Sequence, residues 1–128
     1  MARITALYAG LLAILIVVLA ARVVRVRQTT SIGVGDGSND LLLRRIRIHG
    51  NATENIPIGL LLMLVLEING ASVILLHALG VSLTLGRVAH AQGLSGSPGA
   101  SVGRVAGSTL TWGSIVVGAM AAMASYAG

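Results

Sequence analysis

Four stretches of the chain are apolar for long enough to cross a bilayer, where about 20 helical residues are needed. They cover residues 4–24, 41–66, 71–89 and 105–126. The first is unbroken until Arg22. The second is polar through its first half and then runs Ile-Pro-Ile-Gly-Leu-Leu-Leu-Met-Leu-Val-Leu. Between the spans lie residues 28–40, rich in Gly, Ser and Thr, the dipeptide Asn69-Gly70, which reads as a tight turn, and residues 93–101, which contain Gly-Ser-Pro-Gly. In lipid the backbone must satisfy its own hydrogen bonds, so these runs are helices and not open strands. The pattern predicts one all-α membrane domain over residues 1–128, a bundle of four transmembrane helices. Val18-Leu19-Ala20 would pass as a signal-peptide cleavage site, but the run exceeds a signal core of roughly 7–15 residues and is read as a retained helix.

Composition sharpens this picture. Of 128 residues, 55% are hydrophobic and only 10% charged, against about 25% charged in soluble domains. A water-facing surface cannot be covered from that supply, and the mean hydropathy is +0.88. A soluble enzyme is excluded. The net charge of +5 does not indicate nucleic acid, because aromatics are 2% and the arginines sit at the edges of apolar runs. With no cysteine, the chain has no disulfide, no thiolate metal site and no thiol nucleophile of its own; any sulfur must arrive with a ligand. No metal site is expected.

All nine basic residues are arginine. Arg22, Arg25, Arg27, Arg44, Arg45 and Arg47 lie in or beside the first connection, and Arg87 and Arg104 flank the third. Only Arg3 lies at the other end, with Glu67. Eight of nine on one side predicts that the first and third connections face the cytoplasm and both termini the opposite side. This pattern fixes orientation more firmly than it fixes which membrane.

The second span carries the chemistry, in Arg44-Arg45-Ile46-Arg47-Ile48-His49-Gly50-Asn51-Ala52-Thr53-Glu54-Asn55-Ile56-Pro57. At 100° per residue, Arg44, Arg47, Asn51, Glu54 and Asn55 share about a third of the helix circumference. Arg47, Asn51 and Glu54 occupy adjacent turns. A carboxylate at Glu54 needs a partner arginine or a bound cation. Two readings stay open: a structural Arg47–Glu54 ion pair, or a polar site lined by the stripe. His49 lies well round from this face and is read as an interfacial histidine bonded to a loop. Arg87 and His90 close the third helix, either snorkelling to the headgroups or completing the same cluster. Arg104 begins the fourth helix, where the helix N-terminus favours an anion. His77 reads as a buried histidine bonded to a neighbouring helix. Gly33-Val34-Gly35-Asp36-Gly37 follows no strand and opens no helix, which argues against a nucleotide loop. Ser114, Gly118 and Ala122 form a small-residue packing seam.

The pattern Arg47-x-His49-x-Asn51-x-x-Glu54, with Arg87-x-x-His90 and Arg104, resembles the MAPEG superfamily, the membrane-associated proteins in eicosanoid and glutathione metabolism. Gly35-Asp36-Gly37, Arg47-Ile48-His49-Gly50-Asn51 and Glu67 look most like its small bacterial branch, and the likeness spans roughly residues 22–111. It implies a homotrimer of four-helix protomers that binds glutathione between subunits near the cytoplasmic face. Arg47, Asn51 and Glu54 would hold the tripeptide's charged ends, Arg27, Arg87 and His90 would add contacts, and Arg104 would sit near the thiol. Animal members carry a tyrosine after Arg-x-x-His and another early in the fourth helix. Here those places hold Leu94 and Ser108, and Val105 replaces the serine that follows the arginine. Ser108, one turn after Arg104, could serve as the hydroxyl donor. The resemblance implies a glutathione-dependent transferase or peroxidase acting on apolar electrophiles or hydroperoxides drawn from membrane lipid. The rival is a non-catalytic subunit of the same fold, a scaffold or lipid-binding partner within a larger membrane complex. A small transporter fits less well, since four helices with one polar end offer no through-going path of ionisable residues.

Overall fold

In a computed structural model, the structure describes residues 1–96, 99 and 101–127, the last of them by its backbone alone. Four helices follow in order: α1 (Arg3–Thr30), α2 (Asp40–Ile68), α3 (Val73–Gly96) and α4 (Val102–Ala127). All four are long and apolar enough to cross a membrane, as the pattern predicts.

Each helix outruns its apolar stretch. α1 continues to Thr30, where the Thr29 and Thr30 hydroxyls donate to the Val26 carbonyl and Ser31 closes the helix in the left-handed conformation. The expected 28–40 loop is therefore shortened at its front. Arg27 donates from Nη1 to the carbonyls of Ile32 and Gly35, each at 3.0 Å, so this arginine pins the connection. Asn39 caps α2 by accepting from the Leu42 N–H at 2.9 Å. α3 runs past residue 89 to Gly96. Its extra turns carry polar side chains that a helix tolerates outside lipid, and Ser95 donates back to the Ala91 carbonyl at 2.6 Å. Of the expected 93–101 connection, Ser97, Pro98 and Ala100 lie outside the described residues. The Asn69-Gly70 turn forms as expected. Gly70 takes φ +79°, and the amides of Asn69, Gly70 and Ala71 donate to the last carbonyls of α2.

The core has two centres. Leu12 and Leu19 of α1 meet Ile48, Ala52 and Ile56 of α2 and Leu83, Ala91 and Leu94 of α3. Towards the opposite end, Tyr8 packs with Met63, Leu66, Leu76 and Leu79. Tyr8 lies flat against Gly80, where a Cβ would collide with its ring. Large apolar residues such as Ile14, Val17, Leu61, Ile74, Val116 and Met120 point outward, while Arg87, His90 and Thr111 are buried. An apolar exterior over a locally polar interior is the arrangement that lipid selects. α2 touches the other three helices, whereas α1 and α4 do not meet among the described residues.

At the end away from the arginine cluster, the Glu67 carboxylate accepts from the backbone N–H of Ile4 at 2.8 Å and of Thr5 at 2.7 Å. First-turn amides have no partner within their own helix, and a carboxylate also complements the positive end of the dipole. Glu67 thereby fastens α1 to the far end of α2. Nearby, the Tyr8 hydroxyl and His77 Nδ1 lie 2.9 Å apart. His77 is bonded to a neighbouring helix as expected, but it is exposed and not buried; its burial was inferred from mid-span position, which does not reveal which face turns inward.

Candidate functional site

The polar stripe of α2 meets α3 and α4 because those two helices approach closely. A Cβ on Gly107 would sit 2.5 Å from the Gly86 carbonyl oxygen and from the His90 nitrogen, and one on Gly93 would strike the backbone of Gly103 and Arg104. The tight seam thus consists of Gly86 and Gly93 on α3 against Gly103 and Gly107 on α4. Of the expected seam further along α4, Gly118 is buried and in ordinary contact distance of Leu62 and Leu79. The spacing of Gly103 and Gly107 was the available signal, a small-xxx-small pair that brings backbones together.

That approach builds a hub on Arg87, which is 2% exposed. Its Nε donates to Thr111 Oγ1 at 2.8 Å and its Nη1 to Asn51 Oδ1 at 3.1 Å, with longer contacts to the carbonyls of Gly107 and Asn51. Thr111 in turn donates to the Gly107 carbonyl at 2.8 Å. Burial overturns the snorkelling alternative for Arg87. A guanidinium spends its donors in a fixed planar fork, and here the fork ties α2, α3 and α4 together. Sequence reasoning missed Thr111.

Asn51 is oriented by this hub. Its Oδ1 accepts from Arg87 and, at 3.3 Å, from Asn55 Nδ2. Both neighbours are donors, so the amide oxygen faces inward and the NH2 group is left to donate elsewhere. A cavity of about 240 Å³ opens beside it, lined by Leu43, Arg44, Arg47, Asn51, His90, Leu94 and Arg104. Three arginines, an amide and an imidazole converge there, and none of the lining residues is acidic. Such a lining suits an anionic, hydrogen-bonding ligand.

Arg104 also lines a second cavity of about 290 Å³, with Val105, Ser108, Thr109 and Trp112. One guanidinium-bearing residue is therefore the common wall of a recess with three arginines and of one that carries two hydroxyls beside Val105 and Trp112. Arg104 Nη1 donates to the Gly99 carbonyl at 2.9 Å, and its backbone N–H to Ser101 Oγ at 3.3 Å.

The structure thus brings together Arg47, Asn51, His90 and Arg104, with Arg87 beneath them and Ser108 beside Arg104. It does not bring in Arg27, which is committed to the loop carbonyls. Glu54 is exposed on the outer face of α2 and makes no ion pair among the described residues. The Arg47–Glu54 pair does not form, and Arg47 is itself exposed. A shared helix face places two side chains near one another but does not close a bond between them. His49 is half-buried and makes no hydrogen bond to a loop among the described residues. No group of three or more His, Asp or Glu converges among the described residues.

Fold and site define a polytopic membrane protein of four helices with a basic recess at one end. The sequence profile of the MAPEG family matches residues 5–124. The inner membrane protein YecN of Escherichia coli strain K12 is 44% identical over 90 residues, covering 70% of this chain and 69% of that protein. YecN from Escherichia coli O6:H1 matches equally. The chain belongs to the MAPEG family. No solved structure matches it.

Proposed function

We propose that this protein is a glutathione-dependent transferase or peroxidase of a bacterial inner membrane, active as a homotrimer on apolar electrophiles or hydroperoxides. The observation that carries the reading is Arg104 as the wall shared by a basic cavity and a cavity lined by Val105 and Trp112. The basic cavity supplies donors for the tripeptide's carboxylates from Arg47, the Asn51 amide and Arg44. Its amine needs a carboxylate, and Glu54 offers one on the outer face of α2, where a neighbouring protomer would close the site. An outward-facing carboxylate with no partner among the described residues of its own protomer favours such closure, because an uncovered charge in lipid is costly.

A thiol is mostly protonated at neutral pH, and a nearby cation stabilises the thiolate. One pKa unit corresponds to about 1.4 kcal/mol, which a partly desolvated guanidinium can supply. In the transferase reaction the thiolate sulfur bonds to the electrophilic carbon, the leaving group departs with the bonding pair, and the thiol proton goes to water. In the peroxidase reaction two glutathione thiols are oxidised to a disulfide while the hydroperoxide is reduced to an alcohol and water. Ser108, in the second cavity, can donate to the developing negative charge. The chain contributes no sulfur, so the co-substrate carries it.

Calorimetric titration of glutathione into detergent-purified protein tests this. The expected result is saturable binding to the parent and none to Glu54→Ala or Arg47→Ala, with the oligomer unchanged. Normal binding by both variants would place the site elsewhere. A second reading, a non-catalytic subunit of the family fold, is favoured by Leu94, a buried wall of the basic cavity that offers no hydroxyl. It predicts no binding by the parent and co-purification with a larger membrane complex.

A further inference from the structure

A larger cavity lies apart from the two described above. A recess of about 600 Å³ opens between α1, α2 and α3 at the arginine-rich end, lined by Arg22, Arg25, Val26, Arg45, Gln92, Ser95 and Gly96. That volume falls within the roughly 300–1,000 Å³ of small-ligand sites. It lies on the other side of α2: Arg45 is two positions from Arg47, about 200° round the helix at 100° per residue. We propose that this recess binds the phosphate of an anionic phospholipid.

Four observations carry the assignment. Three arginines line the recess with no acidic residue among them, so their charge is not neutralised from within. Arg45 is held ready: its Nη1 donates to Ser95 Oγ at 3.0 Å, and Ser95 is fixed by donating to the Ala91 carbonyl. Arg22 and Arg25 make no hydrogen bond or ion pair among the described residues. They do not hold the connection that follows α1, a task that falls to Arg27. The recess also lies at the right height. From Ile4 to Ala21 α1 is free of charge, about 27 Å at 1.5 Å per residue, close to the roughly 30 Å of a hydrocarbon core. Arg22 and Arg25 therefore stand where lipid phosphates stand.

A further observation separates a lipid from free phosphate. Leu11, Ile14, Val18, Arg22 and Arg25 follow one another at steps of three and four residues and form one stripe of α1, whose apolar members are 45–65% exposed. An acyl chain can lie along this stripe with its phosphate among the guanidiniums, which bind phosphate through paired N–H donors. Basic pockets between helices at the cytoplasmic side are a recurrent form of headgroup recognition.

The test is native mass spectrometry of the full-length protein, released from detergent after incubation with phosphatidylglycerol or phosphatidylcholine of identical chains. The parent is expected to retain phosphatidylglycerol preferentially. Arg25→Gln and Arg45→Gln should each reduce that retention about fivefold, which corresponds to ~1 kcal/mol per arginine near a headgroup. Arg44→Gln, which removes the same charge at the same end but lines the other cavity, should leave it unchanged. Equal retention of the two lipids overturns the proposal. So does an equal loss from Arg44→Gln, because bulk charge would then account for the preference. Displacement by inorganic phosphate, with no preference between the lipids, would assign the recess to the free ion and overturn the lipid. Arg22→Gln guards against misfolding, since Arg22 makes no hydrogen bond or ion pair among the described residues. It should lose phosphatidylglycerol while its thermal unfolding matches the parent's.

Discussion

Replacing Arg87 with methionine and with lysine should destabilise the bundle in an order that charge alone does not predict. In the native protein two short bonds leave the guanidinium, to Thr111 at 2.8 Å and Asn51 at 3.1 Å. Charge-assisted bonds contribute about 1.5–3 kcal/mol each, so the pair contributes roughly 3–6 kcal/mol. Against this stands the cost of holding a guanidinium out of water, several kcal/mol. Methionine fills much of the stem volume and removes both terms. It also leaves no orphan, because Thr111 still donates to Gly107 and Asn51 still accepts from Asn55. The expected net loss for Arg87→Met is about 1–2 kcal/mol. Lysine keeps the buried charge but lacks the planar fork, so it cannot serve both acceptors. An under-coordinated buried cation costs about 3–5 kcal/mol. Trp112 is the chain's single tryptophan and adjoins Thr111 on α4, so its fluorescence during thermal unfolding in detergent reports on this hub. The expected ranking is parent, then methionine, then lysine. A lysine variant as stable as the parent would show that charge and not the fork holds the helices, and the reasoning would fail.

Gly107→Ala drives a Cβ to 2.5 Å from backbone on α3 and should cost about 1–3 kcal/mol, whereas Gly50→Ala meets nothing within 4 Å and should be neutral or mildly stabilising in the same unfolding assay. Glu67→Gln should speed amide exchange at Ile4 and Thr5 selectively, measured by hydrogen–deuterium exchange, while amides at the arginine-rich end keep their protection. Tyr8→Phe removes the bond to His77 and should lower stability by about 1 kcal/mol, seen as a lower unfolding temperature. In glutathione-loaded protein, Arg104→Ala should abolish the ultraviolet absorbance of bound thiolate while leaving the tripeptide bound, and Ser108→Ala should slow turnover with thiolate retained.

The number, order and type of the helices were legible because lipid imposes one rule on every span: long apolar runs must be helical. The ends were less so. Hydropathy reports the solvent around a residue, not the conformation of its backbone, so the last turn of α3, Gly93 to Gly96, read as connection. The α2 stripe was legible from its period, and Asn51 did join Arg47, His90 and Arg104 around one cavity. The Arg87–Thr111 hub was not, because it depends on how closely α3 and α4 approach. That distance is set by glycines on two helices whose relative register no single-helix period contains. Glu54 shows the converse limit: its face was right, yet its expected partner Arg47 also points outward.

The Glu67 clamp bears on how the protein is made. The amides that complete the first turn of α1 wait for an acceptor more than sixty positions later in the chain. During synthesis α1 thus emerges before α2 but is finished only after it. Until the α2–α3 turn arrives at the same side of the bilayer as the N-terminus, two backbone donors of α1 depend on water or headgroups. Delivery of that turn is then a natural checkpoint: a nascent chain in which α2 failed to cross would leave the carboxylate on the opposite side from the amides it serves, and α1 would stay frayed and open to quality control.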